Sequence, residues 1–90
     1  MPHNPDSLYN LAWFQARLAG AASLPGSGVS ADEAQAEGDR AVLMLRQAGA
    51  AGYGNLRNIR FNKNLDPIRS RPDFGMILLD LAFPADLFAP

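Results

Sequence analysis

The sequence contains no cysteine and only one histidine, His3, close to its first residue. The lack of cysteine excludes disulfide bonds, thiolate metal sites and cysteine nucleophiles. A serine nucleophile would need a positioned base, and a lone histidine in a terminal segment is a poor candidate for a base or a metal ligand. We therefore expect no enzymatic activity, no metal, no cofactor and no small-molecule substrate.

The chain also lacks an excess of charge of either sign. Eight basic residues face nine acidic ones, for a formal net charge of −1, which gives no global attraction to nucleic acid or to an anionic membrane. No apolar run approaches the roughly 18 residues that a membrane-spanning helix needs, and the first residues do not resemble a secretory signal. These absences predict a soluble, cytoplasmic protein with no membrane partner.

Strand signals are missing as well, because no segment alternates between apolar and polar residues over a sustained stretch. Apolar residues instead recur at steps of three and four, which is typical of helices. With 90 residues, the chain is expected to form one all-α domain over 1–90. The predicted helices cover about 5–22, 31–49, 55–61 and 72–82, with an irregular tail over 84–90.

The two long helices carry patterns known from a repeat family. The segment Leu8-Tyr9-Asn10-Leu11-Ala12, together with Ala41, Leu45 and Ala48, resembles helices A and B of a tetratricopeptide repeat. The resemblance implies an antiparallel helical hairpin in which Leu11 is buried and Ala12 lies where the two helices cross.

The second half resembles the closing segment of tetratricopeptide arrays in large bacterial serine/threonine kinases. The resemblance rests on Asn64–Arg69, on Arg71–Phe74 and on Asp80–Asp86. It implies short helical turns and a capping helix. It does not imply kinase activity, because the glycine-rich loop and the His-Arg-Asp motif of kinases do not occur in this sequence.

Tyr9 and Trp13 form a second apolar row on the first helix, beside its main stripe. A helix cannot cover all its faces against one neighbour. We expect this row to be covered by the C-terminal helix, to mediate self-association, or to bind a peptide. Tyr9 and Trp13 are therefore candidate protein-contact residues.

Basic residues are concentrated between residues 55 and 71, where Asp66 is the only acid. They could bind an acidic protein segment or nucleic-acid phosphate, with Tyr53 and Phe61 as stacking neighbours, or pair with the acidic start of the second helix. The near-neutral total charge favours a protein partner over nucleic acid. The candidate contact residues of this segment are Arg57, Arg60, Lys63, Arg69 and Arg71.

Together these patterns predict a non-catalytic module that binds a protein or peptide, or that caps a repeat array. Two alternatives stay open. One is a homodimer that associates through Tyr9, Trp13 and their apolar neighbours. The other is an anion-binding or nucleic-acid-binding module that uses the basic segment 57–71, which steep salt dependence would reveal.

Overall fold

The structure is a computed structural model that describes residues 4–82, and these residues form helices joined by short connections. The prediction of an all-α fold is confirmed for them, since none lies in a strand. The predicted tail 84–90 lies outside the described residues. The elements in chain order are α1 (Pro5–Ala22), α2 (Ala31–Ala50), α3 (Leu56–Phe61), a 3-10 helix (Lys63–Leu65), α4 (Asp66–Arg69) and α5 (Pro72–Ala82).

Both long helices begin at side chains that cap their free backbone N–H groups. The Asn4 side-chain oxygen accepts the N–H of Asp6 at 2.8 Å, directly before a proline in the first turn of α1. The Ser30 hydroxyl accepts the N–H of Glu33 at 3.1 Å at the start of α2. Such caps contribute about 1 kcal/mol each, and they locate both helix starts where the sequence indicates them.

The end of α2 turns the chain back towards the core. Gly52 has a φ of 110°, a left-handed conformation that costs glycine little. The N–H of Gly52 donates to the carbonyl of Gly49 at 3.1 Å, and the N–H of Tyr53 donates to the carbonyl of Ala48 at 2.9 Å. This pair of bonds is a Schellman motif, and it brings Tyr53 to its buried position in the core.

The contact between α1 and α2 is built mainly from alanines, with Leu45 as a larger residue among them. Ala12 and Ala16 of α1, together with Ala41, Leu45 and Ala48 of α2, have no solvent exposure. Small side chains allow two helix backbones to approach closely. The expectation that Leu11 is buried is wrong, because half of its surface is exposed on a face of α1 that no described helix covers.

The remaining elements pack on one side of the α1–α2 pair. The 3-10 helix and α4 lie mainly against α1, whereas α5 packs against α2, α3 and α4. The start of α5 lies near Asp39 of α2, through Arg71, and Leu81 near its end lies beside Gly49. The start of α5 thus lies beside the earlier residue of α2, and its end lies beside the later one, so the two helices run in the same direction. The described part of α5 thus packs along α2, and in the second apolar row of α1 the ring of Tyr9 is covered by Tyr53.

Gly20 sets the distance between α1 and α4. A Cβ atom at Gly20 would lie 2.7 Å from Cγ of Pro67, and a proline ring cannot rotate away. We expect Gly20→Ala to lower the free energy of unfolding by about 1 to 2 kcal/mol, because the clash outweighs the helix propensity that alanine adds. Midpoints of urea denaturation would measure the change.

The matched control is Gly75→Ala in α5, where a Cβ would meet no described atom within 4 Å. Alanine there is expected to stabilise the protein by up to about 1 kcal/mol through helix propensity alone. If both substitutions raised the stability equally, the close packing of α4 on Gly20 would be wrong.

Candidate protein-interaction surface

Tyr9 lies inside the protein. It is 5% exposed, and its ring stacks on Tyr53 with the ring centroids 4.2 Å apart. The side-chain amide of Asn62 donates to the Tyr9 hydroxyl oxygen at 2.9 Å. Burial raises the pKa of Tyr9, with the Asn62 hydrogen bond partly opposing the rise. Tyr9 thus joins α1 to the segments after α2, and its burial argues against the predicted contact role.

Trp13 is half-buried and packs against the hydrophobic core. Its indole N–H donates to the Asn10 side-chain oxygen at 3.0 Å, and its ring meets Phe14 edge-on at a centroid distance of 6.3 Å. Trp13 therefore has a structural role, with only part of its ring available to a partner.

Arg69 holds the end of α3 rather than projecting into solvent. Its guanidinium donates to the backbone carbonyls of Ile59 at 3.2 Å, of Asn62 at 2.7 Å and of Arg60. It also pairs with Asp66 at 3.0 Å and lies 5.5 Å from the ring centroid of Phe74. The last carbonyls of a helix lack partners within the helix, and this arginine supplies them.

Arg71 connects the start of α5 to α2. Its Nε and Nη2 atoms each donate to Asp73 at 3.0 Å, and Nη2 also donates to Asp39. This pairing with the acidic part of α2 is one of the outcomes that the sequence left open. The hydrogen bonds to Asp73 and then Asp39 raise the pKa of Arg71. Its pairs make Arg71 a structural link, so it does not offer a free charge to a partner.

The Arg71–Asp73 pair predicts a specific acid sensitivity. Hydrogen bonding to Arg71 lowers the pKa of Asp73 below its ordinary value of 3.8. A carboxyl group whose pKa is lower in the folded state stabilises the protein at pH values above the unfolded pKa. That contribution is lost as the pH falls through the folded pKa. We expect Asp73→Asn to destabilise the protein at pH 6, and the difference from the wild type to shrink steadily as the pH falls below about 4.

Urea denaturation at several pH values would measure this difference. Asp80→Asn is the control, since Asp80 is an exposed residue of the same helix. An Asp73→Asn deficit of the same size at pH 6 and at pH 2 would contradict the pairing.

Arg57, Arg60 and Lys63 remain exposed and form no ion pair with a described acid. Phe61 beside them is 72% exposed, whereas Tyr53, the other aromatic residue expected to stack on a bound ligand, is buried. Three of the five predicted basic contact residues are thus available to an anion. The other two have structural partners, so the continuous basic patch that the sequence indicated is divided.

The most extensive uncovered apolar surface of α1 was not among the predicted sites. Leu11, Phe14 and Leu18 are 50%, 54% and 45% exposed, and their spacing of three and four residues puts them on one face. We call these three residues the α1 stripe. The scarcity of charge in α1 could have revealed it, because only Asp6 and Arg17 are charged among its 18 residues.

The α1 stripe runs along the edge of the contact between α1 and α2. Gln15 lies between Leu11 and Leu18 on the helix surface, and its side-chain amide donates to the carbonyl of Glu37 at 3.3 Å and to the Glu37 carboxylate. At 3.6 residues per turn, the stripe points about 180° away from Tyr9 and Gly20 around the axis of α1. The 3-10 helix and α4 therefore pack on the opposite side of α1.

A groove of about 470 Å³ lies between the loop ends of α1 and α2 and the start of α4. Most of its lining is small, and its one charged side chain, Arg71, is already paired with Asp39 and Asp73. Within residues 4–82, no three histidine or acidic side chains converge as metal ligands would. The described lining of the groove therefore supplies no unpaired charged side chain that could bind or activate a ligand.

Comparison with known proteins gave no match among protein-family models, curated proteins or solved structures. Among the described helices, none combines the length and the apolar character that crossing a membrane requires.

Proposed function

We propose that the chain is a non-catalytic protein-binding module whose contact surface is the α1 stripe. The exposure of Leu11, Phe14 and Leu18 on one helix face carries this proposal. Single exposed apolar residues are ordinary, whereas a contiguous row of large ones is typical of surfaces that bind another protein.

The contrast between the two long helices supports this function. In α2, six of 20 residues are charged, in contrast to two of 18 in α1. A helix that faces water normally carries polar and charged residues on its outer side. The outer side of α1 instead presents two leucines and a phenylalanine, and removing this apolar surface from water is favourable.

The positions of the other polar side chains also favour binding over catalysis. Tyr9, Arg69 and Arg71 all have partners within the fold, and each joins two elements of the chain. Groups that serve as nucleophiles or bases must instead face a substrate. These three polar groups stabilise a scaffold, and the scaffold presents an apolar surface.

The tetratricopeptide resemblance is consistent with this role and remains part of the proposal. The small residues that the resemblance assigns to the helix crossing, Ala12, Ala41 and Ala48, are fully buried in the hydrophobic core. In stacked helical repeats, the outer face of one hairpin is covered by a neighbouring unit. The α1 stripe is suited to such a contact, either within an array or with a separate protein.

Site-specific photo-crosslinking in cells that produce the full protein would test the proposal. A photoreactive amino acid replaces Phe14 in one variant and Leu43 in another, since Leu43 on α2 is equally exposed at 56%. We expect a discrete covalent adduct from position 14 and none from position 43. No adduct at position 14, or equal adducts at both positions, would overturn the assignment of the α1 stripe as the contact surface.

A further inference from the structure

We infer that the partner of the α1 stripe is a second copy of this chain, docked antiparallel across a two-fold axis near Phe14. This inference rests on the proposed function, because it names the occupant of the same surface. It differs from the homodimer considered from the sequence, which was built around Tyr9 and Trp13 with their apolar neighbours, because both of these residues are now placed against the core.

The first support is the spacing of the exposed residues along α1. Ser7, Leu11, Phe14, Leu18 and Ala21 are all exposed and follow one another at steps of four, three, four and three. This alternation is the pattern of positions a and d in a coiled coil, where two helices pack side by side. It extends over four turns of α1 and is centred on Phe14.

The second support is electrostatic. None of these five residues is charged. Arg17 follows Phe14 by three positions on one side of the row, and on the other side Glu37, which Gln15 contacts, is paired with Arg40. Two identical surfaces can meet only if they do not bring like charges together. An uncharged apolar row meets that condition without a complementary partner.

The helix dipoles favour one direction. In a parallel pair the two dipoles would point the same way, which is unfavourable. In an antiparallel pair centred on Phe14, Leu11 faces Leu18 of the second copy. Arg17 then lies near the uncharged Asn10 and Leu11 of the second copy, and the dipoles oppose each other.

Sedimentation equilibrium of the purified full chain tests this inference. With three large side chains per copy the interface is small, and small interfaces are weak, so the series should reach about 1 mM. The expected mass rises with concentration from 9.7 kDa towards twice that value. A mass that stays at the monomer value throughout would overturn the inference.

Matched variants test the surface itself. Phe14→Gln is expected to weaken dimerisation at least about tenfold, whereas Leu43→Gln should leave it unchanged. Both residues are about equally exposed, so neither variant should unfold the monomer, and helical circular dichroism would verify that. A dimer that Phe14→Gln leaves intact would contradict the proposed interface.

A charge exchange tests the direction of the helices. Leu11→Glu and Leu18→Lys should each weaken the dimer when introduced alone. The double variant should recover much of the lost association, because each new acid then faces a new base across an antiparallel interface. In a parallel arrangement like charges would meet instead, so a double variant weaker than either single one would overturn the antiparallel geometry.

The failure of this inference can be distinguished from that of the proposed function. A monomeric chain whose position 14 forms an adduct with a different protein would retain the α1 stripe as a binding surface and exclude the second copy. A monomeric chain with no adduct at position 14 would exclude both.

Discussion

Ala41→Glu is expected to remove most of the stability of the folded protein at room temperature. Ala41 has no solvent exposure and lies at the contact of α1 and α2 with Ala12 and Ala16, so a glutamate there would bury an unpaired charge between two closely spaced backbones. Uncompensated burial of a charge costs about 3 to 5 kcal/mol. Domains of ordinary size are stable by about 5 to 15 kcal/mol, and a chain of 90 residues belongs to the lower part of that range.

Circular dichroism at 222 nm and thermal denaturation would measure this loss. Ala31→Glu provides the control, because Ala31 is an exposed residue of the same helix and an acid in its first turn suits the helix dipole. We expect the control to stay within about 0.5 kcal/mol of the wild type. Unchanged helicity and melting temperature in Ala41→Glu would show that the register of α1 against α2 is wrong.

Tyr9→Ala is expected to have the second-largest effect, a loss of about 3 to 5 kcal/mol. Replacing a buried aromatic ring by alanine removes its packing and leaves a cavity. Here it also removes the stack on Tyr53, and it leaves the side-chain amide of Asn62 without its acceptor. Denaturant unfolding monitored by the fluorescence of Trp13 would measure the change.

Tyr9→Phe separates the ring from the hydroxyl group. It keeps the stack and loses only the hydrogen bond from Asn62, which is worth about 1 kcal/mol. If Tyr9 were a surface contact residue, as its sequence position suggests, both substitutions would leave the stability nearly unchanged. A Tyr9→Ala variant as stable as the wild type would therefore contradict the packing of α1 against the segment that follows α3.

Local features of the fold could be predicted from the sequence because their causes are local. Asn4 and Ser30 are separated by only two or three residues from the N–H groups that they cap, and Gly52 ends α2 through its own conformation. Each of these signals can be recognised in a short window.

The candidate site could be predicted less well, because it depends on contacts between distant segments. Asn62 reaches Tyr9 across 53 positions, and Arg71 reaches Asp39 across 32. No pattern in a short window shows that these side chains have such partners. Leu11 was misplaced for the complementary reason. The spacing of Leu11 places it in an apolar row of α1. Which of the apolar rows is buried depends on where the other helices pack, and the sequence of α1 does not contain that information.

Arg69 makes α3 dependent on a part of the chain that is synthesised after it. A helix of six residues is too short to persist alone in water, and three carbonyls in and just after α3 are held by the Arg69 guanidinium. Opening of α4 would withdraw those donors and release α3 at the same time. The two short helices should therefore exchange their amide protons as one cooperative unit, with a common opening free energy, while the longer α1–α2 pair remains closed.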